Sequence, residues 1–191
     1  MPRQLDPKLE ERVLDAAQRL WKKGGARALT MRAVAAAART NTPAVYRRFR
    51  DRDDILLALL RRIQQEFSAI VQPTRSPQDA CESFLKFALD HSNEYKLFYE
   101  HVHKLPRPSA TAALRESRPT MYLMEQKLAD YLGGNPSDHA RLSLALWALT
   151  HGTAMILITK SIPPEHADEL RSAFKATVET ILREGQVSSK G

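Results

Sequence analysis

Apolar side chains recur every three or four positions along nearly the whole chain, the period of helices with one buried face. Leu9, Val13, Ala16, Ala17, Leu20 and Trp21 mark a first helix running to Lys23. Asp6 can cap it, Pro7 suits its first turn, and Gly24-Gly25 supply the backbone freedom to end it. Thr30 stands as an N-cap before Met31, Val34, Ala35 and Ala38, a short second stripe. Asn41 caps a third helix from Thr42 to Phe49, where Pro43 is tolerated in the first turn and Val45 and Phe49 face inward.

From Asp51 a longer stripe of Leu56, Leu59, Leu60, Ile63, Phe67, Ile70 and Val71 predicts a helix of about 21 residues, roughly 32 Å long. Asp51, Asp53 and Asp54 lie at its start, where the helix dipole favours negative charge. Residues 73–77 read as a linker. Helical periodicity then continues over 78–92, 93–103, 109–132, 137–159 and 165–183, with Pro119 expected to kink or divide the third segment. Breaks fall at Gly133-Gly134-Asn135-Pro136 and Pro163-Pro164, and no alternating strand pattern or repeat intervenes. The expected fold is all-α: a three-helix head with a helix-turn-helix over 1–52, joined by the long helix to a helical body over 53–191, with a frayed polar tail from Gly185.

Charge adds what periodicity cannot. Residues 1–50 hold 12 Lys/Arg against 4 Asp/Glu, whereas residues 51–191 hold 17 against 18. From residue 16 to 50 there is no acidic side chain and there are nine basic ones. A field this one-sided attracts a polyanion, nucleic acid first and an anionic membrane surface second. The single cysteine, Cys81, excludes an internal disulfide. It suits a small buried hydrophobe, though a catalytic or redox site would also need only one thiol. No N-terminal apolar run follows the basic residues, and no segment reads as a membrane span of about 20 uncharged residues, so a soluble cytoplasmic protein with no membrane partner is expected.

The third helix begins with small polar residues and continues with basic and aromatic ones, a composition suited to groove reading. Thr42, Pro43, Ala44 and Arg47 are expected opposite Val45 and Phe49, with Thr42 able to hydrogen-bond a base edge and Ala44 to touch a thymine methyl. Tyr46, Arg47, Arg48 and Arg50 are placed to meet bases or flanking phosphates.

Residues 12–56 resemble the DNA-binding head of the TetR family of transcription regulators. The resemblance rests on Ala16-Ala17 and Leu20-Trp21, Gly25, Thr30, Ala38, Tyr46 with Phe49, and Arg52 followed by Ile55. It implies phosphate contacts from Thr30, Tyr46 and Arg52 and base contacts from Thr42, Pro43, Ala44 and Arg47; Arg32, Arg39, Asn41 and Arg48 complete the expected DNA-facing set. Arg39 and Pro43 stand where the family usually has glycines, so Arg39 is expected to carry some strain and Pro43 to remove an amide donor.

The segment 78–185 resembles more weakly the C-terminal domains marked by Trp, His and Gly, through Trp147, His151 and Gly152. That implies a helical effector domain whose last two helices pair in a homodimer and present two heads to a palindromic operator on double-stranded DNA. Leu142, Ala145, Leu146, Leu149, Gly152, Thr153 and Ile156, with Leu170, Phe174, Thr177, Val178 and Ile181, offer faces for this. A small-molecule effector pocket is expected among Phe84, Phe87, Phe98 and Tyr99, with Met121, Met124, Trp147, His151 and Met155. The same residues also suit a plain core, and His151 a hydrogen-bonded structural role.

No catalytic residue, metal site or cofactor is expected. His101 and His103, two apart on a helix, point apart, and no phosphate-binding glycine loop or acid–base pair occurs. The expected function is a ligand-responsive, nucleoid-associated transcription repressor; the alternative is a basic helical protein binding anionic membrane or RNA without sequence preference.

Overall fold

A computed structural model of the chain describes residues 8–106 and 118–188, the side chains of the last two excepted. The expected cap at Asp6 and Pro7, the start of the segment from Ser109, and the last residues of the tail lie outside these. Nine α-helices fill the described residues, which contain no strand. They are α1 (Leu9–Ala28), α2 (Met31–Ala37), α3 (Thr42–Tyr46), α4 (Arg52–Val71), α5 (Pro77–Asp90), α6 (Ser92–His101), α7 (Pro119–Leu132), α8 (Ala140–Thr159) and α9 (Ala167–Ser188). Pro119 starts α7 rather than kinking a longer helix. Its missing N–H costs nothing in a first turn, where no intrahelical partner exists.

The chain divides into two compact units, Met1–Ile63 with Asn93–Leu105, and Gln64–Ser92 with Pro106–Gly191. The first is larger than the head expected to end at residue 52. Ile55, Leu56, Leu59, Leu60 and Ile63 of α4 are all buried, as are Tyr95 and Leu97 of α6. Ion pairs tie the same elements together. Arg62 Nη1 lies 2.6 Å from Asp15 of α1, and Lys22 Nζ lies 2.5 Å from the buried carboxylate of Glu94. The Trp21 ring meets His101 edge-on with centroids 5.7 Å apart. A head cut at residue 52 would lose these apolar partners, each worth about 1.5–3 kcal/mol when fully buried.

Helix α1 carries its kink where the paired glycines predict an end. Gly25 adopts φ +59°, a conformation that costs glycine little, and one further turn follows to Ala28.

The second unit is a bundle in which α8 packs against α5, α7 and α9, and α5 packs against α7 and α9. Leu128, Leu146, Ala154, Phe174 and Val178 form its core. At Gly185 a Cβ would sit 3.1 Å from Leu132, so the absence of a side chain permits that approach. Four residues expected on a dimer face, Leu146, Thr153, Phe174 and Val178, are instead buried within the chain, because the flanking helices already cover them. The other face of α8 stays open, with Leu144 52% exposed. The stretch Pro136–Thr159 is long and apolar enough to cross a membrane, contrary to the sequence expectation, and little of it is buried within the chain.

Candidate functional site

Two short helices and one turn build the basic surface of the first unit. The Thr30 hydroxyl accepts from the Ala33 amide at 3.2 Å and starts α2, which packs on α1 and α3. Arg12 and Arg19 of α1 reach the far end of α2, donating to the carbonyls of Ala38 and Ala37, each at 3.4 Å. These cations sit where the helix dipole is negative. The turn is closed by the Thr40 amide donating to Ala35 O at 3.0 Å, and Arg39 adopts φ +53° within it. Asn41 Oδ1 then accepts from the Ala44 amide at 2.8 Å and starts α3, with Pro43 in its first turn.

Val45 and Phe49 anchor α3 from behind, as the four-residue spacing predicts. Pro43, Tyr46, Arg47 and Arg48 are exposed on the other side, Tyr46 at 53%, and Thr42 is half-buried. Ala44 departs from expectation. It is buried beside Val45, so its methyl belongs to the core and does not face outward with Thr42. The physical reason is the brevity of α3, which ends at Tyr46 and packs on α2 with little more than one turn, so its inward side takes Ala44 as well as Val45.

Among the described residues Arg32, Arg39, Arg47 and Arg52 are exposed and make no ion pair. Arg50 differs. Its guanidinium donates to both carboxylate oxygens of Asp54, at 2.8 and 2.7 Å, so it already has an anionic partner while its side chain stays exposed. That pairing holds the Asp54 carboxyl down at about 2. The exposed groups of this segment are therefore guanidiniums and a phenol, beside a small polar helix start. The segment can hold phosphates by charge and offer Thr42 and Arg47 to base edges.

The described residues of the second unit enclose a void of about 30 Å³. Of the expected ligand-binding residues Phe84, Met121, Met124 and Trp147 line it. The others do not. Phe98 and Tyr99 belong to the first unit, where Phe98 is buried and Tyr99 lies against Tyr95. Phe87 packs against Phe67 and His91. His151 stacks flat on Trp147, centroids 5.3 Å apart, with its ring held below the usual imidazole range by partial burial, and Met155 is likewise outside the lining. Sequence reasoning missed Val71, Ala80, Cys81, Thr120, Ser143, Leu146 and Thr150, residues whose helical spacing marks them only as packing positions.

Two family models match the chain. That of the bacterial regulatory proteins, tetR family, covers residues 13–59, and that of the tetracyclin repressor-like C-terminal domain covers residues 78–181. The chain belongs to the TetR family. Solved structures share this family's fold along nearly their full length. A protein with unknown function from Rhodococcus sp. RHA1 superposes with a TM-score of 0.70 at 21% identity, covering 96% of this chain and 98% of that one. The multidrug binding protein EbrR, complexed with imidazole, gives 0.64 at 22% identity, covering 95% and 93%. A TetR variant from Acinetobacter baumannii AYE in complex with minocycline gives 0.63 at 19% identity, covering 95% and 96%. No curated protein matches the chain significantly.

TetR-family membership makes this chain a DNA-binding transcription regulator and not an enzyme. The N-terminal match contains the whole Thr30–Arg52 surface, and the C-terminal match contains ten of the eleven lining residues, all but Val71.

Proposed function

We propose that the protein is a homodimeric transcription repressor that binds a palindromic operator through α3 of each copy and leaves it when a small molecule enters the cavity of the second unit. The observation that carries the DNA-binding half is that Arg32, Arg39, Arg47 and Arg52 are exposed and make no ion pair, and that Tyr46 is exposed on a helix whose apolar side is already covered. Thr30, Tyr46, Arg39, Arg48 and Arg52 hold phosphates, while Thr42, Pro43 and Arg47 face the bases. Coverage of the apolar side also argues against the membrane-surface alternative. Such a helix needs large exposed apolar groups, and Tyr46 is the only one among the described residues of the first unit.

Support for the dimer is the open side of α8, where Leu142, Ala145, Leu149, Gly152 and Ile156 are exposed or half-buried, beside Leu170 and Ile181 of α9. Two copies would cover this surface and bring two heads to one operator. EbrR with imidazole and the TetR variant with minocycline lend the ligand-binding half a precedent. Val71 lines the cavity and lies on the same unbroken helix as Arg52. A ligand that displaces Val71 therefore shifts α4, and with it the register of the reading helices.

Selection of bound sites from random duplex DNA tests the proposal. Enrichment of a palindrome, with at least about 1000-fold preference over scrambled duplex at the same salt, is expected. Equal affinity for both duplexes, or for anionic vesicles, would overturn it.

A further inference from the structure

We infer that Arg12, with Arg19 beside it, is a positioning residue for operator reading: it holds the left-handed turn at Arg39 from which α3 takes its direction, acting through the backbone and not by touching DNA. This rests on the assignment of α3 as the reading helix.

Every carbonyl at the end of α2 has a donor. Val34 O accepts from the Ala38 amide, Ala36 O from the Arg39 amide and Ala35 O from the Thr40 amide. Among the described residues no backbone amide is donated to the next two carbonyls, those of Ala37 and Ala38. Arg19 Nη2 and Arg12 Nε take them instead, each at 3.4 Å. A helix C-terminus leaves such carbonyls without intrahelical donors, and cationic donors suit its negative end. Arg12 and Arg19 stand seven residues apart on α1, about two turns, with the fully buried Ala16 between them. Both therefore leave the side of α1 that packs on α2.

Ala38 O belongs to the rigid peptide plane that must turn when φ of Arg39 changes. At φ +53° Arg39 occupies a region that penalises a side chain, so the strain acts to rotate that plane. The bond from Arg12 opposes the rotation at the very carbonyl it would displace. Two residues further on, Asn41 caps α3 through its 2.8 Å bond from the Ala44 amide. Helix α3 is five residues long and buries only Ala44 and Val45. A helix with so little packing of its own takes its direction from the turn before it. Phosphate contact is the competing role for both arginines, and salt separates the two. A lost phosphate contact lowers the slope of log affinity against log salt by about one, whereas a lost positioning contact weakens binding at an unchanged slope.

Binding of the full-length protein to the duplex selected from the random pool, and to a scrambled duplex, tests this when followed by fluorescence anisotropy over a range of salt. Arg12→Met is expected to weaken binding to the selected duplex about 3- to 10-fold, to leave the scrambled duplex within about twofold and to keep the salt slope. Arg12→Lys, whose ammonium extends one bond past the Nε position, should recover most of the loss. Repeating Arg12→Met in two backgrounds tests the turn itself. Arg39→Ala keeps the strained conformation, so the loss should stay at about 3- to 10-fold, whereas Arg39→Gly relieves it and should cut the loss below about twofold. Circular dichroism checks that each variant keeps its helices. If Arg12→Met does not, Arg19→Met at its exposed position takes its place with the same expected pattern. A salt slope lowered by about one would make the arginine a phosphate contact and overturn the inference. Equal losses in the Arg39→Ala and Arg39→Gly backgrounds would overturn it too, as would Arg12→Met binding the selected duplex within about twofold of wild type. Equal affinity of the wild-type protein for both duplexes would overturn the reading assigned to α3, and this inference with it.

Discussion

Arg50 and Asp54 are joined three times: the guanidinium donates to the carboxylate at 2.8 and 2.7 Å, and the Arg50 amide donates to the same group at 3.0 Å. Asp54 thereby fixes the backbone entering α4 and gives the exposed Arg50 guanidinium an anionic partner. Arg50→Ala is expected to leave operator affinity within about twofold, while Asp54→Asn frees a positive charge and steepens the salt dependence of binding by up to about one phosphate contact. Titrating affinity against salt for both variants checks this. The pH response follows from the same pair. Since the folded carboxyl is held at about 2, below its unfolded range, its contribution is full above about pH 4 and is lost as pH falls toward 2. Asp54→Asn should therefore flatten the acid arm of the stability curve relative to wild type.

Position on α3 separates contacts that hold from contacts that read. Tyr46→Ala and Arg48→Ala should weaken binding to operator and scrambled duplex alike, by about 1 kcal/mol or more on each, because phosphates are the same in every sequence. Thr42→Ala should instead change preference at one base pair, with about 1–3 kcal/mol of discrimination lost there. Competition binding against single-base operator variants distinguishes them. A uniform loss from Thr42→Ala would move that residue to the backbone-contacting group.

The helices, their caps and the inward face of α3 were legible because each depends on neighbours in sequence. Thr30 and Asn41 cap the helices they precede, and the four-residue spacing of Val45 and Phe49 holds in space. The failures involve partners distant in sequence. Glu94 and Tyr95 sit far along the chain from α1, yet Lys22 pairs with Glu94, so α6 joins the first unit and takes Phe98 and Tyr99 away from the cavity. Leu146 and Phe174 have the same periodicity as residues on an open face, and only the flanking helices decide that they are core. Ala44 is too small for its hydropathy to reveal which side it faces.

Gly152 separates folding from association. A Cβ built there meets nothing within 4 Å, so a side chain can leave the helix at that point without a clash at its first atom, and replacing a mid-helix glycine adds helix propensity of up to about 1 kcal/mol. A partner helix packed close over that face would meet the added side chain. Gly152→Leu is expected to keep the circular dichroism spectrum and to shift the sedimentation profile from dimer to monomer. Unchanged dimer would place the interface elsewhere.

Cys81 should be chemically silent in the folded protein. Burial pushes its thiol up to about 11, so almost no thiolate exists at pH 8. A disulfide reagent such as dithiobis-nitrobenzoate should react slowly with the native chain and at once in denaturant. The linkage has a definite sign. The folded state keeps the proton longer than the unfolded one, so stability is full below about pH 8.5 and falls as pH climbs from there toward 11. Cys81→Ala should remove that part of the alkaline decline, measured as the difference from wild type in urea midpoints.

Arg39 combines strain with charge. At φ +53° a residue with a Cβ costs roughly 1–2 kcal/mol relative to ordinary helical geometry, and glycine avoids this at an entropic cost of about 0.5–1 kcal/mol. The balance favours Arg39→Gly by about 0.5–1 kcal/mol in stability. Its guanidinium, exposed and without an ion pair, is free for a phosphate, so the same change should weaken DNA binding and lower the salt slope by about one. Arg39→Ala divides the two effects, since it keeps the strained backbone and loses the charge. Urea melts should rank Gly above both Arg and Ala, while binding should rank Arg above both replacements. If Ala binds as Arg does, the residue is present for the turn alone, and the strain has no counterpart in DNA contact.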